Sequence, residues 1–506
     1  MDTDLHQNPA ACYDALRARD ARFDGHFFVG VTSTGIYCRP VCRARTPKAD
    51  NCRFFRLAAQ AEHAGFRPCL RCRPELAPAR RHWSSVDAGD CLLQSSMQWL
   101  DHPGHWSIGD TGVGSTLQSL CAHLGVTDRH LRRLFGTRLG ISPLQYLQTR
   151  RLLTAKQLLT DTALPMSQVA LASGFGSVRR FNEVFRCAYG LQPTALRRHP
   201  EHAARSSMAY HPLLLQWRAP MHVASMLTFL ADRQLAGNEA MIHGPRPGML
   251  KAVRLETRAG SVSGWIRIRF VPERQGVALE VSPLLWPELP QIIWRTRHWL
   301  DLDVDITQVN AVLDEDFPCG SGLRLPGSFD GFETGVRAIL GQQVTLAAGN
   351  TLTARLVAQW GTPVETPASS VSLAFPDPET LAHADPSRMG ALGITKQRQT
   401  AIIALARACA DGKLRLEPGG DPDATVAQLL ALPGIGPWTA QYIAMRALHW
   451  SDAWLPGDTA VRNALRGCRP PSSPDHLAQR WRPWRSYAVV RAWAVGTSTR
   501  NRHDTA

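Results

Sequence analysis

Leu432-Pro-Gly-Ile-Gly-Pro-Trp-Thr-Ala-Gln-Tyr442, followed after a short gap by Leu455-Pro-Gly-Asp458, is the stretch from which the rest of the chain can be read. Ala424 to Leu432 carries apolar Val426, Leu429 and Leu430 on one side, which predicts a helix. Trp438 to Leu448 predicts a second. Pro433-Gly434-Ile435-Gly436 leaves room only for a tight hairpin between them. Glycine has no Cβ to penalise positive φ, so Gly434 and Gly436 can both take that conformation and leave backbone N–H groups bare. Bare N–H groups at a helix start form an anion site suited to a phosphate. Asp458 then has two readings: a helix cap, or a carboxylate placed for chemistry.

The chain has 506 residues, enough for three or four domains. Its formal net charge is +15, its excess sits mostly in the first 200 residues, and Arg far outnumbers Lys. That balance suits bidentate contacts to nucleic-acid phosphate. No apolar run reaches the roughly 18 residues a membrane helix needs, and the polar N-terminus lacks a signal-peptide core. A monomeric cytoplasmic protein of a bacterial nucleoid, without a membrane partner, is expected.

Five of the twelve cysteines fall within residues 38–72. Cys38-x3-Cys42 and Cys69-x2-Cys72 are two close pairs on separated loops, the pattern of one tetrahedral four-cysteine Zn(2+) site. In a cytosolic protein such clustering favours metal over disulfides. Cys52 and His63 fit neither pair. The plainer alternative is four buried free thiols.

The context of these cysteines resembles the N-terminal domain of the Ada adaptive-response proteins over residues 10–78. It runs Thr32-Ser-Thr-Gly-Ile-Tyr-Cys38-Arg-Pro-Val-Cys42-Arg-Ala-Arg45, then Asn51 and Phe54-Phe55, then Ala64-Gly-Phe-Arg-Pro-Cys69-Leu-Arg-Cys72-Arg-Pro. The resemblance implies that Cys38 takes a methyl group from a methyl phosphotriester in DNA, once per molecule. Zinc keeps a cysteine as the thiolate, the only nucleophilic form. Methylation would turn a doubly negative centre into a singly negative one and weaken its repulsion from phosphate, an electrostatic switch. Arg43, Arg45, Arg71 and Arg73 flank the ligands as candidate phosphate contacts.

Leu117 to Gly125 reads as a helix and turn, Thr127 as an N-cap, and Asp128 to Leu139 as a basic amphipathic helix. Pro143 to Leu159 reads as a connecting helix. The arrangement recurs from Met166 through Gly174 and Ser177 to Val178–Arg186 and Pro193. This resembles the AraC-type DNA-binding domain with two helix-turn-helix units. Recognition helices of that kind point N-terminal side chains into the major groove, so Arg129, His130, Arg133, Arg179, Arg180 and Asn182 are the candidates. A basic helical linker bundle is the alternative. The Pro-Cys-His-Arg motif of the methyltransferase domain that follows in Ada relatives is absent, so repair of O6-alkylguanine is not expected.

Leu213–Trp217, Val253–Arg258, Ser261–Arg269 and Gly276–Val281 read as strands, and Pro220–Ala231 and Leu289–Leu300 as helices. With Gly322-Leu-Arg-Leu-Pro-Gly327, Phe332–Val344 and Pro483-Trp-Arg-Ser-Tyr-Ala488, residues 210–500 resemble AlkA-type 3-methyladenine glycosylases of the helix-hairpin-helix superfamily. The resemblance makes Asp458 the catalytic aspartate, Gly434 and Gly436 the DNA-gripping hairpin, and Trp438, Tyr442 and Trp493 the base pocket. It puts a wedge side chain near Gln342 and Gln343; a relative has Leu there, whereas this chain has Gln343. N3- or N7-alkylated purines are cationic, and electron-rich ring faces attract cations. Bifunctional relatives carry a Lys where Trp438 stands, so a monofunctional hydrolase is expected. No iron–sulfur centre is expected.

The fold class expected is multidomain. A small α/β zinc domain spans 1–80, an all-α double helix-turn-helix domain 83–200, an α+β sheet domain 209–300 and an all-α helix-hairpin-helix core 301–500. The expected function is excision of N-alkylated purines, methyl transfer to Cys38 and transcriptional control, with double-stranded DNA and RNA polymerase as partners. A regulator whose glycosylase-like half is a catalytically inactive DNA clamp is the second reading.

Overall fold

The computed structural model describes residues 8–20, 23–77, 88–106, 113–162, 164–196, 212–257, 260–318, 320–455, 457–465 and 474–503. The polar stretch Glu201–Met208, which from its composition is expected to be a linker, and most of the Gly-rich segment Gly104–Gly114, expected to be a loop, lie outside them. Two compact units result: Met1–Ala219 with Trp286–Trp294, and Pro220–Leu285 with Arg295–Ala506.

In the first unit a four-stranded sheet organises the cysteines. Phe28–Val31 pairs antiparallel with Ile36–Cys38 and with Cys52–Phe55. Ile36–Cys38 pairs in parallel with Arg67–Pro68, and Tyr37 lies opposite Pro68. Cys38 and Cys69 therefore leave the same end of two neighbouring strands, and the Cys69 N–H donates to the Tyr37 carbonyl at 2.9 Å. Each second cysteine follows within one turn of its partner. This pairing brings together pairs that are far apart in sequence.

Helices Asp128–Leu139 and Val178–Tyr189 occupy the positions read as recognition helices. Thr127 and Ser177 cap them by accepting the N–H of His130 and Arg180. Gly140 and Gly190 end them at φ 68° and 65°, a conformation that favours glycine. Apolar Leu131, Leu134 and Phe135 in one, and Phe181, Val184 and Phe185 in the other, are buried. Within the same unit, Pro143–Asp161 joins the two helix-turn-helix segments and starts with a capping box on Ser142 and Gln145.

The second unit opens with an antiparallel sheet formed by Gly248–Thr257, Gly260–Val271 and Gly276–Val281. Glu239–Ile242, a strand the sequence reading does not contain, extends it by pairing with Gly248–Thr257. The helical core buries Val336, Ile339, Ile402, Leu405, Leu429 and Ile443 in one cluster. Helices Pro422–Leu430 and Pro437–Ala447 flank the hairpin. Gly434 has φ 79°, and a Cβ there would lie 3.0 Å from the Ala401 side chain. Gly436 differs from expectation: it is the N-cap of the second helix at φ −91° and ψ 173°, extended backbone open to any residue. A Cβ there would meet nothing within 4 Å.

A buried ionic cluster ties the sheet to this core. Lys251 Nζ donates to Glu239 at 2.7 Å, to Glu333 at 2.8 Å and to Asn238 at 2.9 Å. Arg337 donates to Glu333 at 2.9 Å. Removing one partner strands desolvated charge on the others. Lys251→Met is expected to lower the stability of this unit by about 3–5 kcal/mol, read as a shift of its urea midpoint, whereas the exposed Lys413→Met should change it little.

Candidate active site and metal centre

Asp458 is the N-cap of the short helix Thr459–Ala464 and accepts the Val461 N–H at 3.0 Å. Both sequence readings of this carboxylate are compatible. Beyond its capping bond, Oδ2 accepts the Trp438 indole N–H at 3.1 Å and Oδ1 accepts that of Trp493 at 3.3 Å. Trp438 comes from the first turn of the hairpin helix and Trp493 from helix Arg485–His503. Two distant segments thus clamp one carboxylate through ring edges.

The carboxylate lines a cavity of about 270 Å³ with Trp438, Tyr442, Trp493, Arg446 and Phe229. Trp438 and Tyr442 are stacked with centroids 5.1 Å apart and planes 10° apart, and Tyr442 and Trp493 are tilted at 6.4 Å. Tyr442 and Arg446 are one turn apart on the same helix, and Arg446 Nη1 donates to the Tyr442 hydroxyl at 2.8 Å. Burial would raise that phenol, but Arg446, Arg233 and Arg337 outweigh burial and hold it below its ordinary value. Phe229 lies 3.8 Å from the Arg233 guanidinium and 4.7 Å from that of Arg446. Cations gather at the Tyr442 hydroxyl, while the carboxylate sits at the two indoles. The sequence reading contains neither this arginine group nor Phe229; the i,i+4 spacing of Tyr442 and Arg446 was its one visible sign.

Next to the cavity, among the described residues, the N–H groups of Gly434 and Gly436 have no hydrogen-bond partner. Gln342 Nε2 donates to the Gly434 carbonyl at 3.0 Å and to the Thr439 hydroxyl at 3.0 Å, fastening the preceding loop to the hairpin. Gln343 is exposed at φ 55° at the tip of that loop.

In the first unit the sulfurs of Cys38, Cys42, Cys69 and Cys72 all lie within 4.8 Å of one another. Tetrahedral zinc–thiolate bonds of about 2.3 Å would space sulfurs about 3.8 Å apart, so the four cysteines are placed to hold one metal ion, and an all-sulfur tetrahedral set suits zinc. Cys42 and Cys69 are buried, while Cys38 and Cys72 are half-exposed. Cys72 Sγ accepts the Arg39 N–H at 3.3 Å, Cys69 Sγ that of Arg71 at 3.4 Å, and Cys42 a backbone bond from Ala44. Among the described residues no backbone N–H is directed at Cys38 Sγ. Buried Arg39 also donates to Asp24 at 2.8 Å and to the Cys72 carbonyl at 3.1 Å, a role its sequence position did not announce.

Arg43, Arg45 and Arg71 are exposed beside these cysteines. Arg73 is not: it is half-buried and donates to Asp161 at 2.6 Å and to Thr160 at 2.8 Å. On the recognition helices Arg129, His130, Arg133, Arg179 and Arg180 are exposed and Asn182 is half-buried. Arg180 pairs with Glu183 at 3.0 Å.

Four family models match in succession: "Metal binding domain of Ada" over residues 11–75, "Helix-turn-helix domain" over 120–199, "AlkA N-terminal domain" over 212–330, and "HhH-GPD superfamily base excision DNA repair protein" over 336–485. The probable bifunctional transcriptional activator/DNA repair enzyme AlkA of Mycobacterium tuberculosis is 36% identical across 97% of both chains. DNA-3-methyladenine glycosylase 2 of Escherichia coli is 34% identical over 55% of this chain and 95% of its own. The bifunctional transcriptional activator/DNA repair enzyme AdaA of Bacillus subtilis is 29% identical over 37% of this chain and 81% of its own.

Because zinc-site folding and metal binding are coupled, Cys42→Ala is expected to lose both bound zinc and the fold around residues 28–76. Metal analysis together with proteolysis of that segment reads the outcome; full zinc occupancy in this variant would contradict it.

Proposed function

The chain belongs to the family of bifunctional transcriptional activator/DNA repair enzymes, and we propose that it hydrolytically excises N-alkylated purines of the 3-methyladenine and 7-methylguanine type, takes methyl groups from phosphotriesters onto Cys38, and controls transcription through its paired helix-turn-helix units. We keep the four segments 1–80, 83–200, 209–300 and 301–500 as its functional domains. DNA is the partner of both halves, with RNA polymerase beside promoter DNA.

One observation carries the glycosylase reading: Asp458, clamped by two indole N–H groups, lines an aromatic cavity beside a hairpin with bare N–H groups. A base extruded from the duplex would enter the cavity that these rings line, and its cationic charge favours their electron-rich surfaces. The glycosidic C–N bond then breaks with its electron pair leaving on the base, which becomes neutral. Positive charge develops on the sugar, where the Asp458 carboxylate stabilises it, and water supplies the hydroxyl while its proton passes to that carboxylate and on to solvent. The N–H groups of Gly434 and Gly436 would hold a backbone phosphate, and the open space at Gly436 lets that phosphate approach. Gln343 at its exposed tip is the candidate to fill the gap left by the base. The indole of Trp438 stands where a lyase would need an amine, which supports a monofunctional hydrolase.

For methyl transfer, exposure reduces the choice to Cys38 and Cys72. A backbone N–H directed at a thiolate stabilises its charge and dulls its attack; among the described residues Cys72 receives one and Cys38 does not. Bound zinc supplies the thiolate state of all four ligands. The Cys38 sulfur attacks the methyl carbon, the C–O pair returns to the phosphate, and a diester is restored. Exposed Arg43, Arg45 and Arg71 are placed to meet the flanking phosphates. Arg129, His130, Arg133, Arg179, Arg180 and Asn182 would face DNA from the recognition helices.

Asp458→Asn should reduce release of methylated bases from treated duplex DNA by about 10²-fold or more, measured by chromatography of free bases; equal release by variant and parent would remove Asp458 from the mechanism. Cys38→Ala should take up no radiolabelled methyl from methylated DNA, while the Asp458→Asn protein still does. Label on the Cys38→Ala protein would assign the acceptor elsewhere.

A further inference from the structure

The zinc-bearing domain is fastened to the helix-turn-helix segment by a set of polar contacts that centre on one short helix, Ala58–His63. Glu62 on this helix accepts three hydroxyls from three different elements. Tyr37, next to Cys38, donates to Oε1 at 3.0 Å. Thr149 of the connecting helix donates to Oε2 at 2.9 Å. Tyr189, the last residue of the second recognition helix, donates to Oε1 at 3.2 Å. Two residues earlier, Gln60 Nε2 donates at 2.7 Å to the carbonyl of Leu139, the last residue of the first recognition helix. A single turn of helix thus touches the C-terminal ends of both recognition helices.

Other links run parallel. Lys156 of the connecting helix forms a buried ion pair with Glu75 and donates to the Cys69 carbonyl at 3.3 Å. Arg73 reaches Thr160 and Asp161. Gln145 Nε2 lies 2.9 Å from His63 Nδ1. Burying a carboxylate costs several kcal/mol unless its oxygens are met, and apolar packing would hold two helices together at lower cost. Burial does push the Glu62 carboxyl up, to about 7, against the pull of Thr149, Tyr37, Tyr189 and Lys156. What a carboxylate adds over apolar packing is direction: hydroxyls must point at it, so the elements that carry them cannot slide or rotate freely.

We propose that Glu62 and Gln60 are positioning residues for DNA recognition. They set the spacing and pitch of the two recognition helices against the strand that ends in Cys38, so that zinc segment and both helix-turn-helix units meet DNA as one preset surface. DNA contact by the second helix-turn-helix then depends on a residue of the zinc-bearing domain. The gain is that of preorganisation: two recognition helices held at a fixed separation bind jointly, as if each were at high local concentration for the other. This rests on the DNA-binding reading above, and independently of whether Cys38 accepts methyl.

The test uses the full-length zinc-loaded protein and a duplex selected by the wild type from a random-sequence pool. Tyr189→Phe removes one hydroxyl and keeps the ring against Phe185, 4.7 Å away; Glu62→Gln keeps the shape of the hub and removes its charge. Both are expected to bind the selected duplex about tenfold more weakly and to lose hydroxyl-radical protection at the end contacted by the second helix-turn-helix. Zinc content, melting temperature and methyl uptake should stay at wild-type levels, which a merely destabilising change would not leave intact. Wild-type affinity and a full-length footprint in Tyr189→Phe would overturn the proposal, as would a loss of protection spread evenly over the site. Absence of methyl uptake by the wild type would sink the Cys38 assignment alone, because the footprints still decide this one.

Discussion

Two indole N–H groups and one backbone N–H hold the Asp458 carboxylate, and the C-terminal unit is arranged so that those donors arrive together. Carboxylate chemistry at a developing cation demands placement to a fraction of an ångström. A capping bond alone would leave the side chain free to turn about its Cβ. Trp438 and Trp493 remove that freedom with their ring edges. One face of Trp438 is stacked on Tyr442, and both indoles line the cavity, so the residues that orient the acid also border the space beside it. The hairpin, the terminal helix and the core that packs them all serve this convergence.

The first unit solves a similar placement problem with backbone pairing. Parallel pairing of Ile36–Cys38 with Arg67–Pro68 sets the first cysteine of each pair side by side, and one turn of chain delivers the second. The four sulfurs are then told apart by their surroundings rather than their identity: two are buried, and a third receives a backbone N–H. Arg39 braces the arrangement from beneath through Asp24 and the Cys72 carbonyl.

Patterns that depend on neighbours in the chain were legible in advance. The recognition helix read at Asp128–Leu139 has those bounds, because Thr127, Gly140 and an unbroken apolar stripe mark both ends. The metal cysteines were legible because ligand spacing is a local property of loops. Gly436 misled because glycine permits positive φ without requiring it; here it is the extended N-cap of a helix, with open space where a Cβ would lie. Arg73 looked like its exposed neighbours Arg43 and Arg71, since nothing local marks an arginine that a distant Asp161 will claim. Glu239–Ile242 is a short strand without alternation of its own, and it forms because Gly248–Thr257 offers an edge.

By itself the sequence determined the types of chemistry present: four thiols at metal spacing, a hairpin with bare amides, a carboxylate one element later and two basic helices with matching caps. Each follows from short-range rules of spacing, capping and charge. Tertiary structure alone decided which groups meet. It put Trp493 on Asp458, gathered Arg233, Arg337 and Arg446 at the Tyr442 hydroxyl, buried Lys251 between two glutamates, and joined Tyr37, Thr149 and Tyr189 on Glu62. These contacts link residues far apart along the chain, and their energy appears only after water has been excluded from between packed elements, so no local pattern carries a trace of them.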